Sequence, residues 1–437
     1  MVRIAPFLSL AVLAAAQPVA ASAQDSRQID ALEQEIAALR ARLDTVEAGH
    51  DIAQQFLDEV LDAAAAPLSF EEPSSTDDLY ESQGWTSRFG SRNGAGAWLG
   101  GYMDSELRFD NVSDNGSDLR FDQHRLIPFI SAHITDRIRF ATEIELEHGG
   151  NLDNDGEIKI EFAHMDWLLQ DGFNFRAGII LSPLGRLNVL HDSPLLDLTD
   201  RPLVNRFVIP TTLMESGAGF FGGWDLGDEG LVSYEIYAVN GFEGLEGGTT
   251  ASFSDSNGLK NGKGSLKSNP DGQASFVGRI AYSPMLGLEL GMSAHHGVYD
   301  DLGNNSLTIK AFDAFWSNGP LEMKGEFAHA GIGRDAAALA ALVPGDMSGF
   351  YVEADYHFFP ESWRGWDLFG QESTFTGVLR AGSVDLDGGE KDRITVGVNL
   401  RPVEDTVFKL EFQMNEEGGT LAAKDFDTVV LSMATYF

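Results

Sequence analysis

The sequence contains no cysteine, so it offers neither a disulfide framework nor a cysteine for an amino-terminal lipid anchor. Basic residues are also scarce, because 30 Lys and Arg stand against 67 Asp and Glu, and the formal net charge is −37. No basic stretch could neutralise phosphates, which excludes nucleic acid as a partner. Apolar runs long enough for membrane helices are missing beyond the first residues, which excludes a helical membrane protein.

The one long apolar run lies near the start of the chain. Arg3 precedes "IAPFLSLAVLAAA", and the small residues "ASA" follow before Gln24. A basic flank, an apolar core and a small-residue cleavage site are typical of a secretory signal. We predict a signal peptide over 1–23; a membrane helix is the alternative, which Pro6 and Pro18 disfavour.

Residues 24–62 have the pattern of a short coiled-coil helix. Apolar residues recur at alternating spacings of three and four: Ile29, Leu32, Ile36, Leu39, Leu43 and Val46. Glu35 and Arg40, and then Arg42 and Glu47, place opposite charges beside this seam, as a parallel homo-oligomer requires. An amphipathic helix packed on its own chain is the alternative, and the core residues fit a dimer as well as a trimer. A linker rich in Pro, Ser and acidic residues follows over 63–93.

From residue 94 to residue 437 the chain alternates apolar and polar residues in short segments, which is typical of a membrane β-barrel. In "RIRFATEIELEH", for example, Ile138 and Phe140 alternate with Arg139 and with other charged residues. Such segments start near residues 97, 120, 137, 157, 173, 216, 231, 274, 287, 308, 321, 349, 374, 393, 406 and 428. This pattern predicts an all-β fold, a 16-stranded antiparallel transmembrane β-barrel, whose interior is wide enough for a water channel.

One connection, around residues 184–215, lacks the alternation and is rich in Leu, Val and Ile as well as in charge. Because a loop this long and this apolar is usually folded and functional, we predict that it enters the lumen and narrows the pore. Its candidate constriction residues are Arg186, His191, Asp192, Asp197, Asp200, Arg201 and Arg206. The alternative is that neighbours such as Asp200 and Arg201 pair with each other and only hold the loop in place.

Motifs for catalysis or for cofactor binding are weak. "GAGFFG" (217–222) fits a dinucleotide pattern, but "GWDLGDEG" follows it where a helix is required. "NLDNDG" (151–156) lacks the closing Glu of a calcium loop, and His295 and His296 point to opposite faces of a strand. No nucleophile-elbow motif is present. We therefore predict no enzyme activity, no cofactor and no metal.

Five stretches in this order resemble the phosphate-selective porins of the O/P type: "FNFRAGIILSPLGRLN", "SFVGRIAYSP", "AFDAFWSNGPLEMKGEFAHA", "MSGFYVEADYHFFP" and "ITVGVNLRPVEDTVFKLEFQ". The resemblance implies a homotrimeric, 16-stranded diffusion channel in outer-membrane lipid, with its amino-terminal helix in the periplasm. It also implies that the final strand, which ends at Phe437, is recognised by the barrel-assembly machinery. In this family, Arg and Lys side chains that line the pore select phosphate.

The predicted lumen faces carry both signs of charge. The candidate cations are Arg137, Arg139, Arg176, Arg279, Arg380, Arg393, Arg401 and Lys409, and Glu143, Glu145 and Glu161 are among the acids. This mixture departs from the family's basic pore. We therefore predict passive diffusion of small hydrophilic solutes or ions through a mixed-charge constriction, with a weak preference for cations. A phosphate-selective channel and a structural barrel that tethers the envelope are the alternatives.

Overall fold

The computed structural model describes residues 96–112, 116–150, 156–364, 366, 369–421 and 424–437. The predicted signal peptide, coiled-coil helix and linker lie outside these residues and stay predictions. Among the residues described, no helix is both long enough and apolar enough to cross a membrane.

Sixteen antiparallel strands within the described ranges close into one barrel, each hydrogen-bonded to its two neighbours. They are β1 (Gly96–Val112), β2 (Gly116–Thr135), β3 (Ile138–Glu147), β4 (Glu157–Gln170), β5 (Phe173–Leu181), β6 (Met214–Asp225), β7 (Leu231–Val239), β10 (Ser275–Met285), β11 (Leu288–Val298), β12 (Ser306–Asn318), β13 (Leu321–Ile332), β14 (Met347–Phe358), β15 (Thr374–Asp385), β16 (Gly389–Val403), β17 (Thr406–Gly419) and β18 (Lys424–Tyr436). The loops contain the small hairpin of β8 (Leu245–Glu246) and β9 (Thr250–Ala251) and the helices α1 (Leu203–Phe207) and α2 (Ala336–Ala340). Every predicted strand is present, so the 16-stranded barrel is confirmed.

The last residue of the chain takes part in closing the barrel. β18 pairs with β1, and Gly101 and Phe437 exchange backbone hydrogen bonds of 3.1 and 2.9 Å. A Cβ at position 101 would lie 2.3 Å from the Ile127 carbonyl oxygen and 2.8 Å from the Phe437 ring, so only glycine fits there. The terminal strand is therefore paired on both of its edges, which removes the exposed edge that favours aggregation.

The barrel is inverted relative to a soluble protein. On β17, Phe408 and Leu410 are 42% and 47% exposed on the outer face, whereas Lys409 and Glu411 are only 2% and 1% exposed on the inner face. Apolar surface outside and charged residues inside are stable when hydrocarbon covers the outer face. Six aromatic residues lie at the short-turn ends of their strands, where a single interfacial girdle would form: Trp98, Trp167, Trp224, Tyr282, Trp316 and Tyr356.

Short turns and long loops alternate around the barrel. The turns 136–137, 171–172, 286–287, 319–320 and 404–405 are at one end, and the loops 182–213, 240–274 and 333–346 start from the other. The connection 359–373 is an exception, because it is long although it lies at the short-turn end. It carries stacked aromatics, with Trp363 and Trp366 at 5.2 Å between ring centroids.

Part of the barrel interior is a hydrophobic core. The three long loops contribute Leu184, Val204, Phe207, Phe253, Leu259, Ala338 and Val343, which pack against Val277, Ile309, Ala328, Ala330 and Val384 on the inner faces of β10 to β15. The alternation pattern predicts polar inner faces, and at the loop ends of these strands that prediction is wrong, whereas Lys324 and Glu326 follow it farther along β13. The inner residues are apolar here because folded loops, and not water, cover them.

The outward apolar face generates a first prediction. Leu410→Arg places a charge at the middle of β17, where a bilayer-facing site would cost about 2–4 kcal/mol. Leu286→Arg makes the same change at the tip of the 286–287 turn, where the cost is about 0–1 kcal/mol. Unfolding free energies in lipid vesicles should show this difference. Equal losses for the two variants would mean that the outer face of β17 does not contact hydrocarbon.

Candidate functional site

The two ends of the segment 182–213, the inserted loop, are joined by the amide side chain of Asn188. Asn188 is fully buried, and its Nδ2 donates to the carbonyl oxygens of Ser182 and Leu213 at 2.7 and 3.0 Å. Its Oδ1 accepts from the Leu213 amide at 2.8 Å. Both ends of the loop are thus fixed to each other before the loop reaches the lumen.

A turn at Gly185 brings the loop against β13. Gly185 has φ 71°, and a Cβ there would lie 2.5 Å from Glu326 Oε1. Glu326 in turn accepts from the Arg186 amide at 2.8 Å and from Asn205 Nδ2 at 2.5 Å. A single wall carboxylate therefore holds both the first turn and α1, and the turn requires a residue without a side chain.

Asp197 attaches the middle of the loop to the opposite wall. Its carboxylate accepts from Lys324 Nζ at 2.8 Å and from Asn399 Nδ2 at 3.1 Å, and Arg401 Nη2 lies 3.4 Å away. These partners come from β13 and β16. Burial alone would raise the pKa of Asp197, but Lys324 and Arg401 hold it below its ordinary value.

Asp200 makes the second attachment. Arg108 Nη2 lies 2.6 Å from its Oδ1, and Arg393 Nη1 and Gln413 Nε2 donate to its Oδ2 at 3.1 and 2.9 Å. Burial would raise the pKa of Asp200, but the two guanidinium groups hold it well below its ordinary value. Because the folded pKa is depressed, this stabilisation is full above the unfolded pKa of about 3.9 and is lost only as the pH falls through the lower folded value.

The alternative prediction for this segment was an ion pair between Asp200 and its neighbour Arg201. Asp200 does not form this pair. Arg201 Nη1 instead donates to the Thr211 carbonyl oxygen at 2.8 Å and stays within the loop. Asp197 and Asp200 therefore form ion pairs with cations of the barrel wall and not with Arg201 of the loop.

His191 and Asp192 fix the loop to β4 and to the last strand, β18. His191 Nε2 lies 3.0 Å from Glu161 Oε2 on β4. Tyr436 donates its hydroxyl to Asp192 Oδ2 at 2.9 Å. With Asp197 and Asp200, these contacts attach the loop at several points around the barrel.

The remaining two arginines differ in exposure. The Arg186 guanidinium lies 4.6 Å from the centroid of the Phe315 ring and 3.6 Å from Glu289 Oε1, so the wall holds it. Arg206 on α1 is exposed, and the nearest ring is that of Phe207 at 5.6 Å. Arg206 thus presents a solvated charge beside Asp200 and Arg393, with which it interacts electrostatically.

A second loop, 240–274, packs on the inserted loop and was not predicted to reach the lumen. The Leu259 amide donates to the Phe207 carbonyl oxygen and Lys263 Nζ donates to that of Thr212, both at 2.8 Å. Burial lowers the pKa of Lys263 to about 8, and nearby cations add to this shift. Lys260 is exposed. The isolated apolar residues Phe253 and Leu259 in a stretch rich in Gly and Ser were the signal that could have revealed this.

Most of the predicted lumen residues lie on inner faces and are paired. Short contacts join Arg176 to Asp166 (2.7 Å), Arg279 to Asp313 (2.5 Å), Arg380 to Glu353 (2.5 Å), Glu145 to Arg125 (2.8 Å), and Lys409 Nζ to the Ser193 carbonyl oxygen (2.8 Å). Arg139 is the neighbour of Asp166 across the β3–β4 pair, and Glu143 lies close to His191 of the inserted loop. Arg137 differs from the prediction, because it is exposed in the 136–137 turn and does not lie on a strand.

Sequence reasoning missed the wall residues that receive the loop, chiefly Arg108, Lys324 and Glu326. They lie on β1 and β13, where "SELRFD" and "LEMKGEF" alternate charged and apolar residues. That alternation was the available signal. It identifies an inner face but does not tell which loop residue will meet it.

Comparisons with known proteins show the fold. No protein-family profile matches the chain. A protein of Aquifex aeolicus (strain VF5) named only "Uncharacterized protein" is 31% identical over 282 residues, which are 60% of this chain. The chain spans 62% of the length of that curated relative.

Among solved structures, the anion-selective porin from Comamonas acidovorans has a TM-score of 0.54 at 13% identity, over 79% of this chain and 100% of that one. The outer membrane channel DcaP of Acinetobacter baumannii has a TM-score of 0.52 at 13% identity, over 80% of this chain and 99% of that one. The described barrel therefore has the fold of these outer-membrane channels.

The second prediction concerns the Asp200 attachment. Asp200→Asn removes the charge between Arg108 and Arg393, and loss of one partner from a buried ion pair costs about 3 kcal/mol. Trypsin should then cleave faster after Arg201 or Arg206, as measured by mass spectrometry of the folded protein in detergent. Asp228→Asn, in an exposed turn, should leave the cleavage rate unchanged. Equal rates in all three proteins would contradict the role given to Asp200.

Proposed function

We propose that this chain is an outer-membrane porin through which small hydrophilic solutes or ions diffuse passively. The inserted loop narrows the channel. One observation carries this proposal: the loop is bound across the barrel through Asp197 and Asp200 and still presents Arg206 to solvent. A fixed loop with an exposed charge is suited to restrict and filter a flow. The fold shared with two outer-membrane channels supports the proposal.

We propose that the opening lies between charges of opposite sign. Arg206 and Lys260 are exposed on the loop side, and Glu106, Asp122 and Glu147 face inward from β1, β2 and β3. Lys260 interacts electrostatically with both Arg206 and Glu147, so the cations of the loops and the acids of the wall are close enough to affect one another. In water at 4 Å such a charge contributes about 1 kcal/mol, and salt screens it further. Ion selectivity should accordingly be weak.

Phosphate selectivity of the O/P type is less well supported. A phosphate site needs several cations that are close together and not already neutralised. Arg108 and Arg393 are neutralised by Asp200, and Lys324 is neutralised by Asp197. The loop acids Asp197 and Asp200 are neutralised by the same contacts. We propose a mixed-charge constriction with weak preference, and anion selectivity stays a property of the Comamonas porin.

The assembly proposed with this function is a homotrimer in outer-membrane lipid, with the helix 24–62 in the periplasm. It rests on the heptad pattern and on the family resemblance. The pairing of the final strand with β1 is consistent with its recognition by the barrel-assembly machinery. Cross-linking of residues 26–48 between chains would test the oligomer.

Single-channel recording of the purified protein in a planar bilayer tests the function. Discrete conductance steps, with a reversal potential near zero in a salt gradient, are expected. A barrel that only tethers the envelope would give no steps. Strong anion selectivity with block by low phosphate would favour the O/P type of specificity instead.

The third prediction concerns Arg206. Arg206→Glu reverses an exposed charge at the constriction and should shift the permeability ratio towards cations by roughly two- to five-fold, which corresponds to a change of up to about 1 kcal/mol. Arg137→Glu reverses an exposed charge in the 136–137 turn and should leave the ratio nearly unchanged. Reversal potentials in a salt gradient measure both. Matching shifts would show that Arg206 does not lie at the constriction.

A further inference from the structure

Three side chains converge where the inserted loop meets the barrel wall. Glu143 on β3, Glu161 on β4 and His191 on the loop are 2%, 0% and 2% exposed. Each offers one carboxylate oxygen or ring nitrogen, and these atoms lie within 4.8 Å of one another. Two strands and one loop therefore bring three metal-ligating groups to a single buried point.

The hydrogen bonds of His191 define its tautomer. Its Nδ1 lies 3.1 Å from the Asn188 carbonyl oxygen, which can only accept, so Nδ1 carries the proton. In the neutral imidazole, Nε2 then carries a lone pair and can only accept. This atom lies 3.0 Å from Glu161 Oε2. Two acceptors at this distance require a proton or a metal cation that both can bind.

The charge around this point is not balanced by a close cation. Glu143 Oε1 has no hydrogen-bond partner among the described residues. Arg125 and Lys159 lie nearby, but they contact Glu145 at 2.8 and 2.5 Å. Arg201 interacts electrostatically with Glu161 but forms no ion pair with it among the described residues. The two buried wall carboxylates, Glu143 and Glu161, thus lie close together, and the nearest nitrogen group is the imidazole of His191 on the loop.

A second cluster in the same barrel shows how the chain balances such charge elsewhere. Asp197, Glu353 and Asp355 also converge, and Lys324 Nζ lies among them at 2.8, 3.3 and 3.0 Å. That cluster contains its own cation and needs no other. The cluster of Glu143, Glu161 and His191 has a nitrogen ligand in the corresponding place.

We propose that Glu143, Glu161 and His191 bind one divalent metal ion of the zinc or manganese class, which links the barrel wall to the inserted loop. Two carboxylates balance the charge of such an ion, and imidazole with carboxylate is a donor set that suits these metals. The surrounding contacts are those of a supported site: the Thr212 hydroxyl donates to Glu161 Oε1 at 2.8 Å, and Asn188 orients the ring of His191.

The test uses the full chain without an affinity tag, refolded into detergent with Zn²⁺ or Mn²⁺, because the buried site would fill as the loop docks. Gel filtration removes loose metal, and mass spectrometry counts the metal per chain. The variants are Glu143→Gln, His191→Gln and Thr212→Val. The matched control is His295→Gln, which breaks a buried His–Glu pair of the same 3.0 Å length with Glu215, where no third ligand converges among the described residues.

We expect one metal per chain in the wild type and in His295→Gln. Glu143→Gln and His191→Gln should lose it, and Thr212→Val should bind about ten-fold more weakly. Heat-resistant gel mobility checks that each barrel is closed. A wild-type protein that retains no metal overturns the proposal without the help of any variant. A proton would then bridge His191 and Glu161. Metal retained equally in all variants overturns it as well. Neither result changes the expected conductance, so failure here is distinguishable from failure of the porin function.

Discussion

The Asp200 carboxylate, placed between Arg108 and Arg393, is the interaction on which the interior of this barrel depends. A barrel of sixteen strands encloses more space than its own side chains can fill. The inserted loop divides this space. Its contacts with the wall must outweigh the solvation that the loop would gain in water. Ion pairs with the wall do this because they neutralise charges that burial would otherwise make costly.

Two kinds of contact hold the loops inside the barrel. At the loop ends of β10 to β15, long loops pack their apolar residues on apolar wall residues, and the hydrophobic effect holds them. Elsewhere the wall is charged, on β1, β4 and β17 and also at Lys324 of β13, and the inserted loop meets it through single carboxylates. The exposed Arg206 lies where these regions meet, on a helix whose next residue, Phe207, belongs to the apolar core. The position of this exposed charge is therefore fixed by a packed scaffold.

The sequence allowed the barrel to be predicted in some detail and the site only in outline. Strands such as β17 alternate because one face is apolar and exposed and the other is polar and buried, so the number of strands and their starts could be predicted directly. The loop was recognisable from its lost alternation. Its partners were not, since Asp200 contacts residues that lie 92 and 193 positions away. The second loop also escaped notice, because Phe253 and Leu259 are isolated among small polar residues.

The position of the loop is tested most directly by a disulfide between its middle and the last strand. The hydroxyls of Thr199 and Ser432 lie 2.7 Å apart, and the chain has no other cysteine to interfere. With the loop held across the lumen, Thr199→Cys and Ser432→Cys in one chain should form a disulfide on oxidation, and the single-channel conductance should stay the same. Thiols that remain free, or a conductance that changes when the bond forms, would show that the loop lies elsewhere in the conducting protein.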